Sequence, residues 1–286
     1  MKTILILSDF SENSVHAALS GVMLSKQLHA NILLFNTNVS QPAMPQYAGG
    51  PTVMDEFNFL EKESKESLEK ISASLAPLLA QSGSDWKPSI DTLTGIGSLA
   101  SQVKEIIHEK DIELIVMGSR SGNAIDHILL GSETFAVIDR STRPLLVVPL
   151  NSGLDRLRRV VFATNFKDAD IKAIHYLTGL GHVFNFELDI VHVNVLGDDD
   201  ITKGLREIEF MKHVNRQKYP HIVVEEIKGK NINERLNKLC EESNTDLLAF
   251  THYKDSFFSR LFSHSNTRRA LDAQKLPVMI FPADIE

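Results

Sequence analysis

Two stretches of the sequence carry residue types that could do chemistry. One is Leu7-Ser8-Asp9-Phe10, where a carboxylate directly follows an apolar run. The other is MGSRSGNAIDHILLGSETF, residues 117–135, in which Gly118, Gly122 and Gly131 bracket a loop behind a second apolar run. Glycine lets a backbone come close to a ligand, and free N–H groups at a helix start favour phosphate. Gly131-Ser132-Glu133-Thr134 reads as such a start, with Ser132 and Thr134 adding hydroxyl donors. A Gly/Ser turn leading into an ordinary helix cap satisfies the same spacing, and spacing alone favours that plainer reading. Asp126 and His127 lie in the loop and could approach phosphates, although a helix-surface role suits them better.

Other motifs carry less. Gly95-Ile-Gly-Ser-Leu-Ala100 matches the dinucleotide fingerprint in letters but follows a third strand rather than a first. It lacks the acid that should end the next strand, so a turn into a helix explains it better. No Gly-x4-Gly-Lys-Ser/Thr loop occurs, which excludes a P-loop NTPase. Neither a Ser–His–Asp nor a Cys–His arrangement can be assigned. His182, His192, His221, His252 and His264 show no metal-ligand spacing, so no metal site is expected. His192 is expected buried or at a strand end. Cys240, the single cysteine, excludes an intramolecular disulfide and is expected packed or half-exposed.

The elements that must position these residues alternate strand and helix. Short runs rich in Ile, Leu and Val predict strands near 3–8, 30–37, 88–94, 113–117 and 144–149. Helix-like stretches fall near 13–28, 55–82, 98–110 and 132–141, with Asn13 and Ser98 as plausible caps. Such alternation predicts a parallel α/β sheet, whose ligands bind beyond the carboxyl ends of the strands. Residues 40–55, rich in Pro and Gly, read as a mobile loop, and 151–157 as a linker.

The pattern then repeats. Residues 3–39 fall on 159–195 without a gap, with five identities: Phe10/Phe166, Ala17/Ala173, Leu24/Leu180, Asn38/Asn194 and Val39/Val195. Near the far ends, 111–120 falls on 244–253 and 141–149 on 274–282, so the second copy is shorter in its middle. Two copies of one domain, 1–150 and 158–286, explain 286 residues better than two unrelated domains. A composition of 43% hydrophobic and 23% charged residues is that of a globular chain, and a net charge of −7 argues against nucleic acid or an anionic membrane as partner. The apolar run at the N-terminus stops at Ser8, too short for a signal peptide, and a cytoplasmic protein is expected.

From end to end, the chain resembles a tandem universal stress protein. Members of that family carry Gly-x2-Gly-x9-Gly-Ser/Thr after the fourth strand, with an Asp just after the first. Gly118 and Gly131-Ser132 fit its outer spacing; Ser121 stands at the middle glycine, and Gly122 follows one residue later. Leu7 and Phe10 stand where many members have Pro and Gly. The resemblance implies two open five-stranded parallel sheets with helices on both faces, of the adenine nucleotide alpha hydrolase-like, Rossmann-like kind. It implies that members with the pattern bind ATP (with Mg²⁺ possible), and AMP or ADP are alternatives here. Asp9 would accept hydrogen bonds from the nucleoside, while Thr37 and Met117 would flank adenine. Gly118, Ser119 and Gly122 would surround sugar and phosphates, Gly131 and Ser132 would hold the β/γ-phosphates, and Ser121 and Glu133 belong to the same segment. Asn165, Thr251, Asp255 and His264 replace Asp9, Gly118, Gly122 and Gly131 in the second copy, so that copy is expected to hold no ATP. The expected function is an ATP-binding stress-response regulator. The halves would pair as an internal pseudo-dimer through their last strands, with a homodimer and an unidentified protein partner beyond. A non-nucleotide scaffold and a slow ATPase or phosphotransferase are the competing readings.

Overall fold

The computed structural model describes residues 2–38, 53–80, 86–119, 132–150, 152–154, 156–195, 203–253 and 276–285. The first half runs β1 (Thr3–Leu7), α1 (Glu12–Leu28), β2 (Asn31–Asn38), α2 (Val53–Ala80), β3 (Ile90–Ile96), α3 (Leu99–Glu109), β4 (Ile112–Gly118), α4 (Ser132–Ile138) and β5 (Leu145–Val148). The second runs β6 (Arg159–Ala163), α5 (Asp168–Phe184), β7 (Glu187–Val195), α6 (Lys203–Val214), β8 (Ile222–Gly229), α7 (Ile232–Glu242), β9 (Leu247–His252) and β10 (Val278–Pro282). The first-half strands lie within two residues of their predicted bounds, since a short apolar run has little freedom to end elsewhere. Most of the loop predicted at 40–55 lies outside the described residues, and its last residues open α2.

All ten strands form one sheet, in the order β3-β2-β1-β4-β5-β10-β9-β6-β7-β8. Each half has the same internal order, and its neighbouring strands run parallel. The join between halves is antiparallel, β10 on β5, with Val278 opposite Val147 and Ile280 opposite Leu145. An antiparallel pairing of equivalent strands is what a two-fold relation between two similar units requires. The expected shortening of the second copy falls between β7 and β8, where α6 has 12 residues against 28 in α2.

Local geometry repeats as well. Helices α1 and α5 both have 17 residues and both end on a left-handed residue, His29 at φ 49° and Asn185 at φ 55°. The turns ahead of them carry Phe10 at φ 65° and Phe166 at φ 58°, a conformation that costs a bulky residue about 1–2 kcal/mol. One expected cap is displaced: Ser11, not Asn13, caps α1, accepting from the Ser14 amide. Ser98 caps α3 as expected, behind Gly97 at φ 110°, so Gly95–Ala100 is a turn into a helix. The apolar strand residues feed two core layers, one on each face of the sheet, and both layers run through both halves. Among the described residues no helix is long and apolar enough to cross a membrane.

Candidate functional site

In the first half the strand order reverses between β1 and β4, which is where an open α/β sheet leaves a crevice. A cavity of about 110 Å³ lies there. Among the described residues it is lined by Leu7, Ser8 and Asp9 behind β1, Asn36 and Thr37 of β2, and Met117 and Gly118 of β4. Ser14 of α1, Leu99 of α3 and Glu133 of α4 complete that lining. Five candidate positions that lie far apart in sequence thus meet: Asp9, Thr37, Met117, Gly118 and Glu133.

The turn behind β1 is built from short polar side chains. Ser8 is buried, and its hydroxyl accepts from the Phe10 amide at 3.2 Å and meets the Ser14 hydroxyl at 3.1 Å. Asn36 holds the turn from β2, donating its amide to the Ser8 carbonyl at 2.7 Å, while its own oxygen accepts from Ser64 of α2 at 2.7 Å. Asp9 projects from this frame, and its Oδ1 accepts from both the amide and the hydroxyl of Ser11, at 3.0 and 2.5 Å. Partial burial raises the Asp9 pKa, but hydrogen bonds from Ser11 and Ser14 outweigh it and hold the carboxyl below its ordinary value.

Gly118 is fixed by contact rather than by torsion. A Cβ there would stand 2.6 Å from the Asn13 carbonyl carbon and oxygen and 2.8 Å from the Ser14 amide nitrogen. Asn13, displaced from the capping role, donates to the Ser119 carbonyl at 2.6 Å and clamps the start of α1 onto the end of β4. Thr37 is aimed by a bond from its hydroxyl to the Gly97 carbonyl at 3.0 Å. Met117 takes a contact from the Thr134 hydroxyl to its sulfur at 3.6 Å.

Two candidate positions fall elsewhere. Ser119 is buried, its amide bonded to the Val148 carbonyl at 3.0 Å, and it is not part of the lining. Ser132 is exposed at the head of α4 and likewise does not line the cavity. Ser121, Gly122, Asp126, His127 and Gly131 lie outside the described residues, as do Asp255, His264 and Ser265. Ser8 lies in the stretch singled out after the first strand, whereas Ser14, Asn36 and Leu99 were missed from sequence. The repeat register could have found two of them, because it pairs Ser14 with Asp170 and Asn36 with His192, polar on polar each time.

The second half carries the same frame with other occupants. Thr164 accepts from the Phe166 amide at 2.9 Å, and His192 Nδ1–H donates to the Thr164 carbonyl at 2.8 Å. The acid has moved to Asp170, 1% exposed, which accepts from the Thr164 hydroxyl at 2.8 Å, the Asn165 amide at 3.0 Å and the Lys167 amide at 3.3 Å. Tyr253, just beyond β9, donates its hydroxyl to Asp170 Oδ1 at 2.9 Å. Burial and that carboxyl raise the phenol pKa, keeping it a donor. Lys167 lies over the Tyr253 ring at 4.2 Å, and Phe166 stacks on His192 at 4.5 Å with its edge toward Phe210. Thr251 stands where the first half has Gly118. Cys240 lies apart from both frames; burial pushes its thiol up to about 11. Among the described residues no three His, Cys, Asp or Glu side chains gather to hold a metal ion.

Fold and cavity together define an α/β protein with a crevice where its strand order reverses. Residues 1–149 match the universal stress protein family, and the chain belongs to that family. A universal stress protein of Methanocaldococcus jannaschii is 28% identical over 148 residues, covering 51% of this chain and 81% of the relative. One from Thermus aquaticus is 30% identical over 147 residues, covering 51% of this chain and 98% of the relative. Over the whole length, the fold is shared with a universal stress protein of Archaeoglobus fulgidus (TM-score 0.69, 18% identity, 98% of each chain). A functionally unknown Pseudomonas aeruginosa protein shares it too (TM-score 0.54, 12% identity, 99% of this chain and 92% of that one).

Proposed function

We propose that this protein binds an adenine nucleotide in its first half and that the second half, a diverged copy of the same domain, binds none. The observation that carries the reading is the meeting of Asp9, Thr37, Met117, Gly118 and Glu133 around one cavity at the reversal of strand order. The parts suit the ligand. Leu7, Leu99 and Met117 give apolar surface for a ring, and Asp9 gives an ionised acceptor for ribose hydroxyls or an amino group. Gly118, whose missing side chain lets α1 pack against the end of β4, brings the start of that helix to the cavity wall. The cavity is smaller than the roughly 300–1,000 Å³ of a typical ligand pocket. It therefore takes one ring system, and the phosphates leave past Gly118 toward α4. Its described lining has no Lys or Arg, and Glu133 is acidic, so Mg²⁺ held by Glu133 would be needed to shield phosphates there. A residue held below the ordinary carboxyl range is a weak base, which makes Asp9 an acceptor rather than a water-activating group. Binding, not turnover, is the function these residues support, and a nucleotide would act as a regulatory ligand by favouring one state of the crevice over another.

The small cavity and its acidic lining favour one competing reading, a scaffold that has lost its nucleotide. One experiment separates the two. Nucleotide released on denaturing the purified protein is identified by chromatography, and ATP, ADP and AMP are titrated calorimetrically with and without Mg²⁺. Nucleotide binding that is Mg²⁺-assisted and lost in Asp9→Ala supports the proposal. No released nucleotide and no binding heat would overturn it in favour of the scaffold.

A further inference from the structure

Helix α4 is seven residues long, far below the ~12–15 at which a helix approaches independent stability, so its position must be imposed by neighbours. Within the first half it rests on Met117 through Thr134 and on α3, where Arg140, just past its end, donates to the Ser101 hydroxyl. Val137 and Ile138 are buried in the core layer on its face of the sheet, and further support comes from the other half. His252, the last residue of β9 and 6% exposed, lies with Nε2 3.0 Å from Asp139 Oδ1, one residue past the end of α4. Its ring also meets Phe135 of α4, with centroids 5.6 Å apart. His252 Nδ1 is buried without a hydrogen-bond partner, so the tautomer that fits donates from Nε2 alone. His252 is in turn held in the sheet opposite Pro282 of β10, the strand that joins the halves. At its other end, α4 turns Glu133 into the first-half cavity.

We infer that His252 is a positioning residue: through Asp139 and Phe135 the second half holds α4 in place and thereby sets one wall of the first-half cavity. This gives the copy without a usable site of its own a part in the site of the other. The inference rests on the nucleotide reading for its affinity readout only; its structural readout stands alone.

The test measures amide hydrogen exchange across residues 132–138 and ATP affinity with Mg²⁺, both on the full chain. His252→Phe keeps a ring against Phe135 and removes the N–H, whereas His252→Gln keeps a donor. Asp139→Ala removes the acceptor from an exposed position where folding is not at risk, and Asp139→Asn keeps an acceptor. His252→Phe and Asp139→Ala should each speed exchange in α4 and weaken ATP about fivefold, the worth of one hydrogen bond. Exchange in α1 and β4 should stay at the parent rate, and His252→Gln and Asp139→Asn should restore both readouts. Parent-like α4 exchange in His252→Phe and Asp139→Ala, or exchange that rises equally in all helices, would overturn the inference. If the parent binds no ATP, the function reading falls, and the exchange comparison alone decides this one.

Discussion

The turns behind β1 and β6 share one frame and differ in what fills it. In both, a hydroxyl residue accepts from a left-handed Phe two positions on, and a polar side chain of the next strand grips its carbonyl. The first-half turn leaves its acid, Asp9, on the rim of a cavity, held by a neighbouring serine. The second-half turn draws its acid, Asp170, inward and surrounds it with four donors, one of them Tyr253 from beyond β9. Phe10 is 37% exposed, whereas Phe166 is 6% exposed and stacked on His192. The same backbone frame borders a cavity in the first half and is packed by its own side chains in the second, so the two turns differ in filling and not in backbone.

The largest effect expected from breaking this comparison is at Asp170. Asp170→Ala takes the acceptor from the buried Thr164 hydroxyl and from part-buried donors on Asn165, Lys167 and Tyr253, and should cost about 3–5 kcal/mol, since an unmet buried group costs roughly 1–3 kcal/mol and the part-buried ones lose a bond to a charge. Ser14→Ala, at the equivalent first-half position, loses the hydroxyl's contacts with Ser8, the Ser11 carbonyl and Asp9, most of them part-exposed, and should cost about 1–2 kcal/mol. Urea unfolding of both variants checks the ratio. Equal losses would mean that the second-half network is not what closes that turn.

Next comes Gly118→Thr, which writes the second-half residue into the first half. Thr251 is accommodated in its own half, so helix α5 must stand further from β9 than α1 does from β4. At Gly118 the added Cβ meets backbone of α1 at 2.6 Å, and backbone cannot turn aside as a side chain would. The variant should lose about 2–3 kcal/mol, the usual range of overpacking, and with it the nucleotide. Thermal melting and calorimetry check both parts; a parent-like melting temperature would show that α1 moves freely and that the glycine is not required.

How much of this was legible in the sequence follows from which interactions are local. Strand runs, the Ser98 cap and the Gly97 turn were readable because a few neighbouring residues decide them. The join through the last strands, expected from the resemblance, is the antiparallel pairing of β10 with β5. That Asp9, Thr37, Met117, Gly118 and Glu133 border one cavity was readable in outline, because all lie next to strand or helix ends on one side of the sheet. Ser119 was misplaced because its amide is spent on a neighbouring strand, which the sequence does not announce. Asn13 looked like a cap by type, yet its partner, the Ser119 carbonyl, lies 106 residues away. Tyr253 on Asp170 and His252 on Asp139 join residues 83 and 113 positions apart, and no periodicity reports such pairs.

A smaller effect on the fold, but a direct one on the ligand, is expected at Asp9. Asp9→Ala removes an exposed carboxylate and should leave the melting temperature nearly unchanged. Loss of a hydrogen bond to a charged acceptor is worth about 1.5–3 kcal/mol, so nucleotide affinity should fall roughly 10- to 100-fold. Asn165→Asp, the reverse change in the second half, should not create binding, because Phe166, His192 and Tyr253 already fill that turn. Binding gained by Asn165→Asp would break the comparison outright.

The smallest expected effect is the acid titration of Asp9 itself. Its pKa in the folded protein lies below the unfolded value of about 3.9. A carboxyl shifted in that direction contributes stability above its unfolded pKa and loses it as pH falls through the folded value. Nothing should therefore change at this group between pH 8 and 5, and its contribution should fade only below pH 4. Because the group is about half exposed, solvent screens the interaction and the stability at stake is small. The sharper readout is the carboxyl carbon shift followed by NMR. Ser11→Ala removes the hydroxyl bond and should move the Asp9 titration upward toward the ordinary carboxyl range. A titration unmoved by Ser11→Ala would mean that the first-half acid is held by something other than the serine that caps its helix.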